Sequence, residues 1–155
     1  MDSESLFSAA SMLVMPGWLL LVFLPRWRYT TSVITSVLLP AVLGVCYVAL
    51  FAANFSSQPD GFAAFNTLAG VKSLFQNDSL LLAGWIHYLA FDLFVGSWEV
   101  RDAQRLGIHQ LLVIPCLACT LMMGPAGLLA YFVLRLVLRG RYSIDETPSP
   151  AAAAG

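Results

Sequence analysis

Four apolar stretches constrain this chain more than any other feature. Residues 6–24, 33–53, 80–98 and 111–134 are each long enough to cross a hydrocarbon core as a helix, which takes about 20 residues. The runs are continuous rather than alternating, so they read as helices and not as barrel strands. In lipid every backbone N–H and C=O must be paired within its own segment, and four helices in one bundle do this most economically. The fold expected is therefore all-α: an integral membrane four-helix bundle, one transmembrane domain over residues 1–141. Composition agrees. Of 155 residues 59% are hydrophobic and 11% charged, against roughly 25% charged in an ordinary soluble domain. A soluble fold of this length keeps much of its surface wet and cannot hide so much apolar area.

The connections differ from one another. Arg26-Trp27-Arg28-Tyr29 is a short cationic, aromatic turn of the kind found at membrane interfaces. Pro59-Asp60-Gly61 is a turn signal, and Phe62, Phe65, Leu68, Ala69 and Phe75 follow at helical spacing. Residues 62–75 are read as a short interfacial or re-entrant helix between spans 2 and 3. The Pro/Ala-rich tail 142–155 is read as disordered. Met1–Ser5 carries Asp2 and Glu4 and no Lys or Arg, so it resembles neither a secretory signal nor a transit peptide. The first apolar segment is expected to stay in the mature protein. Across four spans the Lys and Arg residues divide equally between the two sides, so charge does not orient the bundle. If the first helix sets insertion, Arg26 and Arg28 are cytosolic or stromal and both termini lie opposite. Pro16, Pro40, Pro115 and Pro125 lie inside spans and read as packing kinks, with a pocket as the alternative.

Several function classes drop out. A net charge of −1 with no basic patch excludes nucleic-acid binding. Three cysteines in apolar surroundings exclude a disulfide scaffold. Cys116 and Cys119 share a helix face as a quinone–thiol enzyme would need, but only Cys46 remains for a second pair. They read as small packing residues. Haem would need His87 and His109 at one depth, and His109 lies outside the fourth span.

Nearly all the unusual residues lie on the third span and its exit. Asp92 sits near mid-span, where a carboxyl costs at least about 2.5 kcal/mol on insertion scales unless it is paired or neutral. At about 100° per residue, Trp85, Tyr88, Asp92, Gly96 and Glu99 form one stripe. Asp92 and Glu99 are two turns, roughly 10 Å, apart, suited to lining one elongated cavity, and Gly96 between them leaves room for a ligand or another helix. His87 points about 140° away from Asp92. Asp92 reads as a working acid or base, against a structural carboxyl bonded to another helix. Glu99, Arg101, Asp102 and Arg105 read as part of that site or as a solvated helix end with an Asp102–Arg105 pair. A mononuclear metal across His87, Asp92 and Glu99 stays open, but no metal is expected.

The block Gly84–Asp102, "GWIHYLAFDLFVGSWEVRD", resembles the ABA-deficient-four-like membrane proteins, as do "VIPCLACTLMMGPAGLLAYFVLR", "MPGWLLLVFLPRW" and "FNTLAGVKSLF". The resemblance covers about residues 6–139. It implies a carotenoid or other isoprenoid guest and, most concretely, the isomerisation of a xanthophyll epoxide to an allene that forms neoxanthin. That reaction removes a proton from a polyene carbon and delivers one to the epoxide oxygen, so acid–base groups suffice and no cofactor is implied. Asp92 would be the acid, Glu99 or His87 the base, and Arg101 would hold Glu99 or Asp102 ionised. Trp85, Tyr88, Phe91, Phe94 and Trp98 would stack along the polyene. The partners expected are membrane lipid, the isoprenoid and a second copy of the chain. The setting expected is a bacterial plasma membrane, or a plastid membrane in a plant or alga. The competing class is a non-catalytic lipid- or pigment-binding protein, a small transporter or an assembly protein.

Overall fold

A computed structural model describes residues 2–57 and 61–144. Pro59, Asp60 and the tail from residue 145 lie outside them, so neither the turn reading nor most of the tail reading is tested. Every regular element described is helical: α1 Ser3–Phe23, a second span Thr30–Phe55, α3 Leu68–Leu74, α4 Asp78–Arg105, α5 Gln110–Met123 and α6 Pro125–Arg139. Three of them, α1, the second span and α4, are long and apolar enough to cross a membrane.

Local chemistry accounts for the boundaries. α1 stops before Pro25, which has no N–H to continue it. The second span opens as a π-helix over Thr30–Leu38 and continues as α2, Leu39–Phe55. The wide register ends where Leu39 N–H donates to Ile34 O, just before Pro40, which can donate nothing. Thr35 Oγ1 turns back to Thr30 O at 2.8 Å and reaches Ser97 Oγ on α4 at 3.0 Å, so the wound-out turn carries a buried polar link between spans. α4 begins at Asn77, whose Oδ1 accepts from Ser79 and Leu80 N–H. It ends at Gly107, whose φ of +66° lets the chain turn away. His109 then caps α5 by accepting from Leu111 N–H.

α4 is the central helix. At 28 residues it is about 42 Å long. It packs against α1, the second span, α5 and α6 through Ile86, Leu89, Leu93 and Val100. The outer faces carry exposed apolar residues such as Leu19, Val45 and Leu129, as lipid contact requires.

Two expectations are corrected. The segment 62–75 is not one helix: a 3-10 turn, Gly61–Asn66, is separated from α3 by extended Thr67. Gly70 packs directly on the Ala64 backbone, so the two short pieces fold on each other. More consequential, the apolar run 111–134 is not a fourth span. At 14 residues, α5 is about 21 Å long and too short to cross about 30 Å of hydrocarbon. At Gly124, φ +39°, the chain reverses. Going up α5, Thr120 meets Glu99, Leu121 O lies 3.4 Å from Tyr88 Oη, and Gly124 meets Asp92. Coming back along α6, Tyr131 and Arg135 meet Asp102, and Arg139 donates to Gly107 O. α5 and α6 are thus a re-entrant hairpin. It enters beside the C-terminal end of α4, turns at the depth of Asp92 and leaves where it entered. Three spans and a half-membrane hairpin replace the four-helix bundle. Gly124-Pro125-Ala126-Gly127 is the hairpin tip rather than a kink.

The reversal changes the charge balance. With three crossings, Arg26, Arg28, Arg101, Arg105, Arg135, Arg139 and Arg141 lie at one membrane face and Lys72 alone at the other. The positive-inside rule predicts that this face is the inner one. The end of α6 lies with Arg26, and the start of α1 lies at the opposite end of the helices. Single cysteines introduced at Ser3 and Ser143 should label from opposite sides of sealed vesicles, where an even number of crossings would put both on one side.

Candidate functional site

Three acidic residues on the inner face of α4 descend toward the Arg-rich end, and each has a different fate. Asp92 lies within one residue of the helix midpoint and keeps 8% of its surface. A Cβ on Gly124 would sit 2.6 Å from its Oδ1, so the hairpin tip rests on the carboxyl. The Tyr88 side chain lies against it one turn earlier. Its Oδ2 is buried with no hydrogen-bond partner among the described residues.

Glu99 is fully buried. Thr120 Oγ1 is 3.0 Å from Glu99 Oε1 and also 3.0 Å from Cys116 O. Gly96, expected to leave room beside Asp92 and Glu99, is covered by the Trp18 indole, 2.9 Å from where a Cβ would be. The two carboxyls therefore do not line one elongated cavity.

Asp102 is a lock between helices. Its Oδ1 pairs with Arg105 at 2.6 Å. Its Oδ2 accepts from Tyr131 at 2.7 Å and pairs with Arg135 Nε at 3.2 Å. Arg101, expected to hold Glu99 or Asp102, is exposed and forms no ion pair with either. Arg135, from the returning arm of the hairpin, takes that place. Its guanidinium pairs with Asp102, which holds α6 on α4, and donates to Ser143 O.

On the opposite side of mid-membrane from this lock, a groove of about 810 Å³ runs between the N-terminal parts of α1 and α4. Asp2, Glu4 and Asp78 stand at its mouth, and Phe7, Trp85 and Tyr88 line its inner part. Among the described residues the mouth holds carboxylates and no cation, which disfavours anionic headgroups. Phe7, Trp85 and Tyr88 stack in series with ring centres 5.3 and 5.4 Å apart, and Trp85 Nε1 donates to Ser11 Oγ. The inner end of the groove is Tyr88, which is also the neighbour of Asp92. An apolar, aromatic passage thus leads to within one turn of Asp92, whose Oδ2, like Glu99 Oε2, has no hydrogen-bond partner among the described residues.

The other aromatic residues expected to hold the polyene are dispersed. Phe91 and Phe94 point outward, 59% and 44% exposed. Trp98 packs edge-on against Tyr131 and Phe132 of α6. His87 is exposed on the side of the second span, stacked on Phe91 and tilted against Tyr47, away from Asp92 as the helical spacing requires. Among the described residues no three of His, Cys, Asp and Glu come together, and His87, Asp92 and Glu99 each face a different neighbour. The structure brings together Trp85, Tyr88 and Asp92, and separates them from His87, Glu99, Arg101 and Asp102. Sequence reasoning missed Trp18, Thr120, Gly124, Tyr131 and Arg135. Only Arg135 left a signal, a cation inside an apolar helix, and its partner 33 positions earlier was not legible.

Comparison with known proteins was made against this geometry. Residues 5–131 match the family model described as ABA DEFICIENT 4-like. The chain is 23% identical over 145 residues to Protein ABA DEFICIENT 4, chloroplastic, of Arabidopsis thaliana. That match covers 90% of this chain and 64% of that protein, so the chain spans less than two thirds of its relative's length. No solved structure matches.

Proposed function

Because this chain belongs to the ABA DEFICIENT 4-like family, we propose that it acts on a carotenoid or related isoprenoid within the membrane, with xanthophyll epoxide-to-allene isomerisation as the concrete reaction. The observation that carries the reading is the Asp92 carboxyl. It is buried at mid-depth with one oxygen unpartnered, and it stands beyond the inner end of an aromatic groove open on the other side of mid-membrane from the Arg-rich face. A carboxylate in hydrocarbon is expensive and is retained where it does work.

The chemistry balances with that one group. Neutral Asp92 gives its proton to the epoxide oxygen, and the C–O bond breaks with its electron pair going to oxygen as a tertiary alcohol forms. The cation left on carbon is delocalised over the polyene and lies within reach of the Trp85 and Tyr88 faces. The Asp92 carboxylate then takes a proton from the adjacent polyene carbon, whose C–H electrons complete the cumulated double bond. Substrate and product are isomers, and Asp92 ends as it began. Neither Glu99 nor His87 is needed as a second base.

The relative's name supports a plastid membrane as the setting, and nothing found speaks for the bacterial plasma membrane expected from the N-terminal residues. The test is expression in a host that accumulates violaxanthin, followed by separation of the extracted pigments. A new allenic isomer is expected. Unchanged pigment beside well-folded protein overturns catalysis on this substrate. A second reading, a pigment-binding protein without turnover, is favoured by the packing of Gly124 on Asp92, which is what a helix-joining carboxyl would show. Purified protein that retains pigment without converting it would support that reading.

A further inference from the structure

The outer face of α4 carries a stripe that the Asp92 site does not use. Phe94, Trp98, Arg101 and Arg105 follow one another at intervals of four, three and four residues, so they stand in line along the helix. The first two are aromatic and the last two cationic. Phe94 and both arginines are exposed, so the stripe faces outward. Phe132 of α6 widens the apolar part, its ring centre 5.8 Å from that of Trp98. Trp98, Arg101, Asp102 and Arg105 line a pocket of about 220 Å³ where the two parts meet.

The charges around this pocket do not cancel. Asp102 supplies one carboxylate, and Arg105 and Arg135 share it. Arg101 makes no hydrogen bond or ion pair with any described residue. Among the described residues no further carboxyl lies past Asp102 toward this end of the helices. Three guanidiniums therefore meet one carboxylate, which leaves an excess of two positive charges. Depth points to the same ligand. Counted from Asp92 at mid-helix, Arg101 lies about 14 Å and Arg105 about 20 Å along α4. Half of a bilayer's hydrocarbon is about 15 Å thick, and the headgroup layer reaches to about 20–22 Å. The two arginines thus bracket the headgroup layer, and Phe94 and Trp98 stand beside the acyl chains of the same leaflet.

We infer that this stripe is a binding site for an anionic phospholipid of the leaflet on the Arg-rich side. The phosphodiester sits in the pocket between Arg101 and Arg105, where the planar guanidinium fork matches its oxygens. One acyl chain runs over Trp98 and Phe94. A free phosphate would meet the arginines and leave the aromatic part of the stripe uncovered, whereas a lipid covers both. The lipid's charge offsets part of the excess beside the Asp102 lock. The site lies toward the other end of α4 from the large groove and does not depend on what that groove holds.

The test uses the full chain in a neutral detergent, titrated with dioleoyl phosphatidylglycerol or dioleoyl phosphatidylcholine, with bound lipid counted by native mass spectrometry. Both lipids carry a phosphodiester and the same chains, and only the first is net anionic. One arginine near an anionic lipid surface contributes about fivefold, so with two in reach the wild type should bind phosphatidylglycerol at least about tenfold more tightly than phosphatidylcholine. Arg101→Gln should lower that preference about fivefold. Because Arg101 has no partner among the described residues, this variant should keep the wild-type unfolding temperature in detergent alone. Arg28→Gln removes the same charge from the same membrane face, outside the stripe, and should leave the preference in place. Phe94→Ala should weaken both lipids alike. Equal binding of the two lipids by the wild type would overturn the inference. Equal losses from Arg28→Gln and Arg101→Gln would also overturn it, by showing a diffuse field in place of a site. Displacement of phosphatidylglycerol by millimolar sn-glycerol 3-phosphate would assign the pocket to a soluble phosphate ester and overturn the lipid.

Discussion

Asp92→Asn is expected to lower formation of the allenic isomer at least about 100-fold while leaving the folded protein in place. Positioned acid–base groups contribute about 10²–10⁴-fold, and here one carboxyl makes both proton transfers. The amide keeps the volume that Gly124 and Tyr88 pack against, so α4 and the hairpin tip need not move. The measurement is pigment conversion per folded protein, with thermal unfolding in detergent alongside. Glu99→Gln is the control. Glu99 is sealed behind Trp18 and Thr120, so conversion should stay within a few-fold of wild type. Full conversion by the Asp92 variant would remove the carboxyl from the mechanism. Loss of conversion only in proportion to loss of fold would support the structural reading of Asp92.

Gly127→Val should produce the largest loss of stability. A Cβ at Gly127 would fall on the Thr120 backbone nitrogen and Cα, which cannot rotate away as a side chain can. Overpacking among side chains costs about 1–3 kcal/mol, and a clash with backbone should reach or exceed the top of that range. The arms of the hairpin must part to admit the side chain. Parting them pulls Thr120 from Glu99 and draws Tyr131 and Arg135 from Asp102. Breaking a buried ion pair is itself strongly destabilising, by about 3–5 kcal/mol, because it leaves a charge without its partner. Gly44→Ala is the comparison. Nothing lies within 4 Å of its added methyl, so it should be neutral or slightly stabilising. Equal unfolding temperatures for Gly127→Val and the wild type would refute the close crossing and with it the hairpin.

Sequence reasoning succeeded where the physics is local. Helix spacing correctly set Tyr88 beside Asp92 and turned His87 away from it. The Asp102–Arg105 pair was expected as i,i+3 neighbours and is present at 2.6 Å. It failed where two distant segments decide the outcome. Gly96 was expected to leave room for a ligand or another helix, and spacing alone did not say which; Trp18 of α1, 78 positions earlier, takes it. Arg101 was expected to hold Glu99 or Asp102, but it is exposed, and Arg135, 33 positions along, joins Arg105 on Asp102. The glycines of the tip were read as a kink, because a kink and a reversal share the same composition.

Hydropathy alone determined that this chain carries helices apolar enough to cross a bilayer and that an acidic residue stands near the middle of one of them. Those conclusions need only the length of an apolar run and the demand that each backbone group be paired within its own segment. Tertiary structure alone decided that the last apolar run folds back at Gly124, which end of the helices carries the arginines, and which carboxyl is locked, which is sealed and which stands beside an open groove. The direction of a helix after a turn, and the partner of a buried charge, depend on contacts tens of residues apart, and no local pattern of hydrophobicity encodes them.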